Sequence, residues 1–134
     1  VSGYSATPLV KKLGIKPGFS VYFHAAPDHY SDLLGPLPEA VDVRKAAGPG
    51  LDFIHLFARN KEQLTADLLW LKDLIQKNGM IWVSWYKKSS KIPTDITEDS
   101  IREVALPLGL VDIKVCAVDE QWSGLKLVWR KELR

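Results

Sequence analysis

Apolar positions follow two rhythms along this chain. Short, nearly continuous apolar runs with β-branched and aromatic residues occur at Phe19–Ala25, Leu51–Ala58 and Met80–Tyr86. That is the pattern of strands covered on both faces of a parallel sheet. Ala40–Arg44 is a weaker run of the same kind. Between Lys61 and Lys77 the rhythm changes, and Leu64, Leu68, Leu71 and Ile75 recur at helical spacing. Asn60 and Gln63 occupy the cap and third positions of a capping box, and Asn78-Gly79 supplies a stop. Thr97 caps another predicted helix, with Glu98 and Asp99 in the first turn, where the helix dipole favours acids. Pro107 and Gly109 end that helix near Leu106. Two shorter helices are expected. Thr7 and Pro8 open one that Gly14 stops, and Asp28 caps one that runs to Leu34. Val111–Val118 and Leu125–Lys131 read as the last strands. The turn between them, Asp119–Gly124, is too short for a crossover, so the pair is antiparallel.

Strands alternating with helical crossovers imply a three-layer α/β domain with a mostly parallel, six-stranded sheet. The length of 134 residues suits a single domain spanning 1–134, and an apolar content of 46% is enough for a core. No apolar run reaches membrane-spanning length, and the first residues lack an apolar signal core, so no membrane partner and a cytoplasmic location are expected. Cys116 is the only cysteine, which excludes an intrachain disulfide. The three histidines lack zinc-ligand spacing, so no metal is expected. A net charge of +2 is too small to argue for nucleic acid without a concentrated patch.

Finer motifs carry a resemblance. Lys16-Pro17-Gly18 before the first strand, the run from Ile75 through Asn78-Gly79 to Val83, and the closing strand pair resemble a shortened Rossmann-like methyltransferase fold. The resemblance implies the strand order 2-1-3-4-6-5, with the sixth strand antiparallel. The chain as a whole resembles a bacterial family catalogued as a domain of unknown function. The segments that carry this are Gly3-Tyr4-Ser5 through Ile15, Thr94 through Asp99, and Leu106 through Val128. It implies a fold and brings no catalytic residues.

The usual cofactor features of such a fold depart from pattern. A nucleoside site needs glycines after the first strand for close backbone approach. This chain has Phe23-His24-Ala25-Ala26-Pro27-Asp28, with no glycine between Gly18 and Gly35. Arg44 and Lys45 stand where an acid would receive ribose hydroxyls. Gly48-Pro49-Gly50 leads into a strand and reads as a turn. No cofactor is therefore expected, and S-adenosylmethionine is the alternative.

A ligand would sit outside the carboxyl ends of the parallel strands. The candidates there are Asp28, Arg59, Lys87, Lys88, Ser89, Lys91 and Trp122 for binding, with His29, Asp119 and Glu120 for catalysis. Lys87-Lys88-Ser89-Ser90-Lys91 suits an anion, aided by the N–H groups of Thr97–Ser100, although Glu98 and Asp99 oppose one there; its bland reading is a solvated loop. Asp119-Glu120 beside Trp122 suits a cation, an amine or acid–base work; its bland reading is a hairpin loop bent at Gly124. His24, His55 and Cys116 read as packed strand residues.

The leading expectation is a non-enzymatic protein that binds a small anion or a protein partner on a degenerate methyltransferase-like scaffold. The alternatives are an enzyme using the strand-end cluster, including a divergent methyltransferase, and a nucleic-acid binder using the lysine loop. The sequence leaves oligomeric state open.

Overall fold

The computed structural model describes residues 8–134. Six strands form one sheet: β1 (Ser20–His24), β2 (Asp42–Arg44), β3 (Leu51–Phe57), β4 (Ile75–Tyr86), β5 (Leu110–Ala117) and β6 (Trp122–Trp129). Their spatial order is β2-β1-β3-β4-β6-β5. The first four pair in parallel, and β6 runs antiparallel to both β4 and β5. The order and directions are those that the resemblance implies, and the antiparallel last pair is the one expected from its short connection.

Period-two alternation divides the strand side chains between two helical layers. Phe53 and Phe57 of β3 join Trp82 of β4 in one core, which is closed by α1 (Leu9–Leu13) and α2 (Tyr30–Leu34). Ile54, Leu56, Ile81 and Val83 face the other core, closed by α3 (Lys61–Leu71) and α4 (Glu98–Ala105). Leu64, Leu68 and Leu71 form the buried stripe of α3. Trp82, fully buried, ties α1 to the sheet by donating from Nε1 to Leu13 O at 2.8 Å. Among the described residues no helix is long and apolar enough to cross a membrane.

The structure moves several predicted boundaries. The helix expected over 61–77 ends at Leu71, a 3-10 turn covers Lys72–Leu74, and Ile75 already belongs to β4. Ile75 pairs with Leu51 and the next register pair is Phe53 with Met80, so residues 76–79 bulge opposite Asp52. Ile75 is buried. An apolar residue at that spacing satisfies either a helix face or a strand, so periodicity could not separate the two. Gly79 is not a helix stop. A Cβ there would lie 3.1 Å from both Asp52 O and Gln76 O, so the position serves close backbone approach.

The last hairpin also shifts, because Trp122 to Gly124 lie in β6 rather than in the turn. Gly124 pairs with Ser84 on one side and Cys116 on the other. Its missing Cβ leaves room for Trp82 Cε3 at 3.2 Å and Val118 Cγ2 at 3.3 Å. The glycine answers a packing demand across the sheet, and it does not bend the turn.

The capping residues are partly as expected. Asn60 accepts from Gln63 N at 2.8 Å, but the Gln63 side chain returns to Arg59 N instead of the cap's own N–H. Thr97 and Ser100 complete a full capping box on α4. His29, not Asp28, is the cap residue of α2, and its side chain makes no capping bond. Pro8 takes the cap position of α1, with ψ 146°, rather than the first helical one. Thr7 lies outside the described residues.

Candidate functional site

The chain turns sharply as it leaves β1. Ala25 has φ 57°, in the left-handed region that favours glycine. Arg59, just beyond β3, bridges the two strand ends. Its Nη1 donates to Ala25 O at 2.8 Å and to Phe57 O at 3.3 Å. Its guanidinium carbon lies 5.3 Å from the centroid of the Trp122 ring. Its backbone is fixed as well, with N donating to Gln63 Oε1 and O accepting from Thr94 Oγ1. The side chain is therefore preorganised before any ligand arrives.

Trp122 is buried beneath this arginine, stacked on Tyr86 at 4.1 Å and met edge-on by Phe57 at 5.0 Å. Beside it, His29 Nε2 lies 3.0 Å from Asp119 Oδ2, closing the end of β1 against the β5–β6 turn. Asp119 Oδ1 accepts from the backbone N–H groups of Gln121 and Trp122, both at 2.8 Å. Asp119 is thus a structural acceptor that also holds His29. Glu120, its neighbour in sequence, is exposed, as are Asp28 and the His29 ring edge.

The lysine loop forms a 3-10 turn, Lys88–Ser90, after β4. Lys87 is half-buried and donates from its backbone N to Gln121 O at 2.8 Å, which brings this loop beside the Asp119 turn. Lys88, Ser89 and Lys91 are exposed. The N–H groups of Thr97 and Ser100 are already used within the capping box, so the α4 terminus offers a loop-bound anion fewer donors than its sequence suggests.

Two histidine networks stand outside the predicted cluster. On the α3 side of β1, His24 Nδ1 lies 2.9 Å from Tyr22 Oη and Nε2 lies 3.3 Å from Asp67 Oδ2. Burial, and then the nearby Asp67 charge, push the Tyr22 phenol above its ordinary range. Tyr22 and His24 are two apart on one strand face, but Asp67 comes from α3, so only the tertiary fold assembles this trio. In the opposite core, His55 Nδ1 lies 2.6 Å from Tyr30 Oη and Nε2 lies 2.7 Å from Ser84 Oγ. Complete burial lowers the His55 pKa to about 3, so the ring is a neutral, twice hydrogen-bonded core residue. Cys116 is half-buried, and burial, opposed by the charges of Lys12, Lys114 and Lys87, raises its thiol pKa. Among the described residues no group of three or more histidines, cysteines and acids is placed to hold a metal.

Solved structures share the overall fold. A SAM dependent methyltransferase from Aquifex aeolicus matches 89% of this chain and 86% of its own, with TM-score 0.64 and 17% identity. TrmN from Thermus thermophilus matches 91% of this chain with TM-score 0.60 and 11% identity, and precorrin-6y C5,15-methyltransferase from Geobacter metallireducens matches 91% with TM-score 0.59 and 10% identity. The fold is methyltransferase-like. The chain covers 47% of TrmN and 86% of the Geobacter enzyme. No family model and no curated protein matches it.

Within that methyltransferase-like frame, the strand-end edge carries its own residues. Ala25 occupies the left-handed turn after β1. Arg44, at the end of β2, folds back to bond Pro49 O at 2.8 Å and Asp42 Oδ2 at 3.5 Å. A cationic, aromatic-backed edge of this kind can hold and orient a negative group, because the guanidinium is planar, permanently charged and stacked on an indole.

Proposed function

We propose that this chain is a non-enzymatic binding domain on a methyltransferase-like scaffold, and that it takes a small anionic ligand at the carboxyl edge of its sheet. The observation that carries the reading is the state of Arg59. Among the described residues the guanidinium is anchored through Nη1 alone, which leaves its Nε and Nη2 donors to receive a carboxylate or phosphate in the fork geometry that arginine provides. In this reading Lys87, Lys88, Ser89 and Lys91, which follow β4, and Asp28 and His29, which follow β1, contribute from the same edge of the sheet. The Trp122 ring backs the guanidinium at 5.3 Å, and Asp119, held by backbone donors, lies in the next turn with Glu120.

The same residues fit an adenosyl cofactor poorly. Ala25 puts a Cβ where backbone approach calls for glycine, Arg59 crosses the ends of β1 and β3, and Arg44 replaces a ribose-binding acid. An enzyme is the second reading. It draws support from the solved structures that share the fold, and in that reading His29 and Asp119 are the acid–base candidates.

Thermal shift against inorganic phosphate, citrate, S-adenosylmethionine and S-adenosylhomocysteine tests both, because a ligand of the folded state raises apparent stability. Stabilisation by phosphate or citrate that Arg59→Gln abolishes is the expected result. Stabilisation by the adenosyl compounds alone would replace the binding-domain reading with a divergent methyltransferase.

A further inference from the structure

Among the described residues β5 ends the sheet on the side away from β2 and pairs only with β6. Val118 N donates inward to Trp122 O at 2.9 Å, so the alternation of an antiparallel ladder turns the peptide groups of Val115 and Ala117 outward. The Ala117 carbonyl meets Lys12 Nζ at 3.1 Å. Ile113 and Val115 are 55% and 52% exposed, which is unusual for apolar residues in mid-strand.

Charge on this edge is one-sided. The irregularity at Ile113 changes the facing of the strand, so Asp112 opposes Leu127 while Lys114 opposes Lys126. Asp112 belongs to the α4 side, where Arg102 Nε holds it at 2.9 Å. Lys114 and Lys126 lie on the α1 side, and like charges directly opposed across a ladder repel. Burial lowers the Lys126 ammonium pKa from its ordinary range, and Lys114 and Lys16 push it the same way. Among the described residues no carboxylate forms an ion pair with Lys12, Lys16, Lys114 or Lys126.

A lysine and a bulge on an end strand discourage pairing with a second copy of the same edge. The lysine does the opposite for a strand of opposite charge, which would relieve the repulsion between Lys114 and Lys126, and the regular stretch from Lys114 to Ala117 beyond the bulge leaves room for it. We propose that the outer edge of β5 docks an extended acidic peptide segment, which adds a strand against both peptide groups of Val115 and the N–H of Ala117 and lays alternate carboxylates along Lys114, Lys126 and Lys12. Backbone pairing supplies the register and the lysines supply selectivity for acidic sequence. This surface is separate from the Arg59 edge, so either can fail without the other.

The test is titration of the full chain with a labelled peptide of about eight residues that alternates glutamate and valine, a length typical of a strand. Two further peptides carry N-methyl groups on one or the other set of alternate residues. The expected result is binding of the parent peptide that weakens with salt, is lost for one methylated peptide and is kept for the other, because only one set of N–H groups faces β5. Lys114→Glu creates an opposite-charge pair with Lys126, so it should melt no lower than the native chain while binding at least about tenfold more weakly. Lys126→Glu serves as the second variant and should weaken binding in the same way. Absence of binding by the native chain overturns the proposal. Equal binding of both methylated peptides, or displacement of the peptide by an oligothymidylate with no dependence on the methylated set, also overturns it and assigns the surface to nonspecific polyanion attraction.

Discussion

The guanidinium of Arg59 donates to the carbonyl oxygen of Ala25 at 2.8 Å and so ties the end of β3 to the end of β1. The tie fixes a residue with φ 57° at the point where the chain leaves the sheet. A left-handed conformation costs an L-residue about 1–2 kcal/mol, whereas glycine gives back roughly 0.5–1 kcal/mol of that through its freer unfolded chain. Ala25→Gly should therefore unfold in urea at or slightly above the native midpoint. Ala25→Val, β-branched in the same turn, should lose more than about 1 kcal/mol.

Stability should fall on acidification because of His55. Its folded pKa of about 3 lies below the ordinary 6.5. In the window between these values the unfolded chain binds the extra proton, so the stabilisation present at neutral pH is lost as pH falls. The slope contributed by this one group approaches about 1.4 kcal/mol per pH unit. Urea unfolding at pH 7 and pH 4.5 should show the fall, and His55→Gln, which keeps a donor and an acceptor but cannot protonate, should flatten it.

The partners of His55 carry a separate prediction. Tyr30→Phe removes the hydroxyl 2.6 Å from Nδ1 and leaves that buried nitrogen without its partner. A loss of about 1–3 kcal/mol is expected. Ser84→Ala should act similarly through Nε2, and the double variant should lose less than the sum, because both bonds belong to one ring.

Gly79→Ala should destabilise by about 1–3 kcal/mol although it adds only a methyl group. The three atoms nearest to the Cβ, Asp52 O, Gln76 O and Gln76 N, are all backbone, at 3.1–3.2 Å. None can turn aside as a side-chain end could. Gly48, with open space around its missing Cβ, is the control, and Gly48→Ala should leave the denaturation midpoint nearly unchanged.

Arg59→Gln separates positioning from packing. Trp122 remains buried between Tyr86 and Phe57 in that variant, so stability should change by about 1 kcal/mol, while anion-dependent stabilisation disappears. Trp122→Ala empties the packed space beneath the arginine and should cost about 3–5 kcal/mol. The two variants together show whether a lost response is a lost donor or a loosened scaffold.

Much of the architecture is local information. The short length and the β-branched and aromatic content of Leu51–Phe57 favour a buried strand, the longer leucine stripe of α3 favours a helix, and connection lengths decide whether neighbouring strands run parallel or antiparallel. Signals with two physical solutions misled: Ile75 buries equally well in a helix or in β4, and Gly124 suits a bend or a close packing contact. The candidate edge was partly legible, because strand ends in a parallel sheet necessarily gather His29, Arg59, Lys87 and Asp119 on one side.

By itself, the sequence determined the three-layer α/β class, the order of the elements and the side of the sheet on which polar strand ends collect, since these follow from periodicity and chain length. Only the tertiary structure decided which residues meet. Arg59 reaches across to Ala25, His24 finds Asp67 on α3, and Lys114 faces Lys126 through a bulge. Such contacts depend on registers and distances of a few ångströms between segments far apart in the chain, and residue patterning carries no record of them.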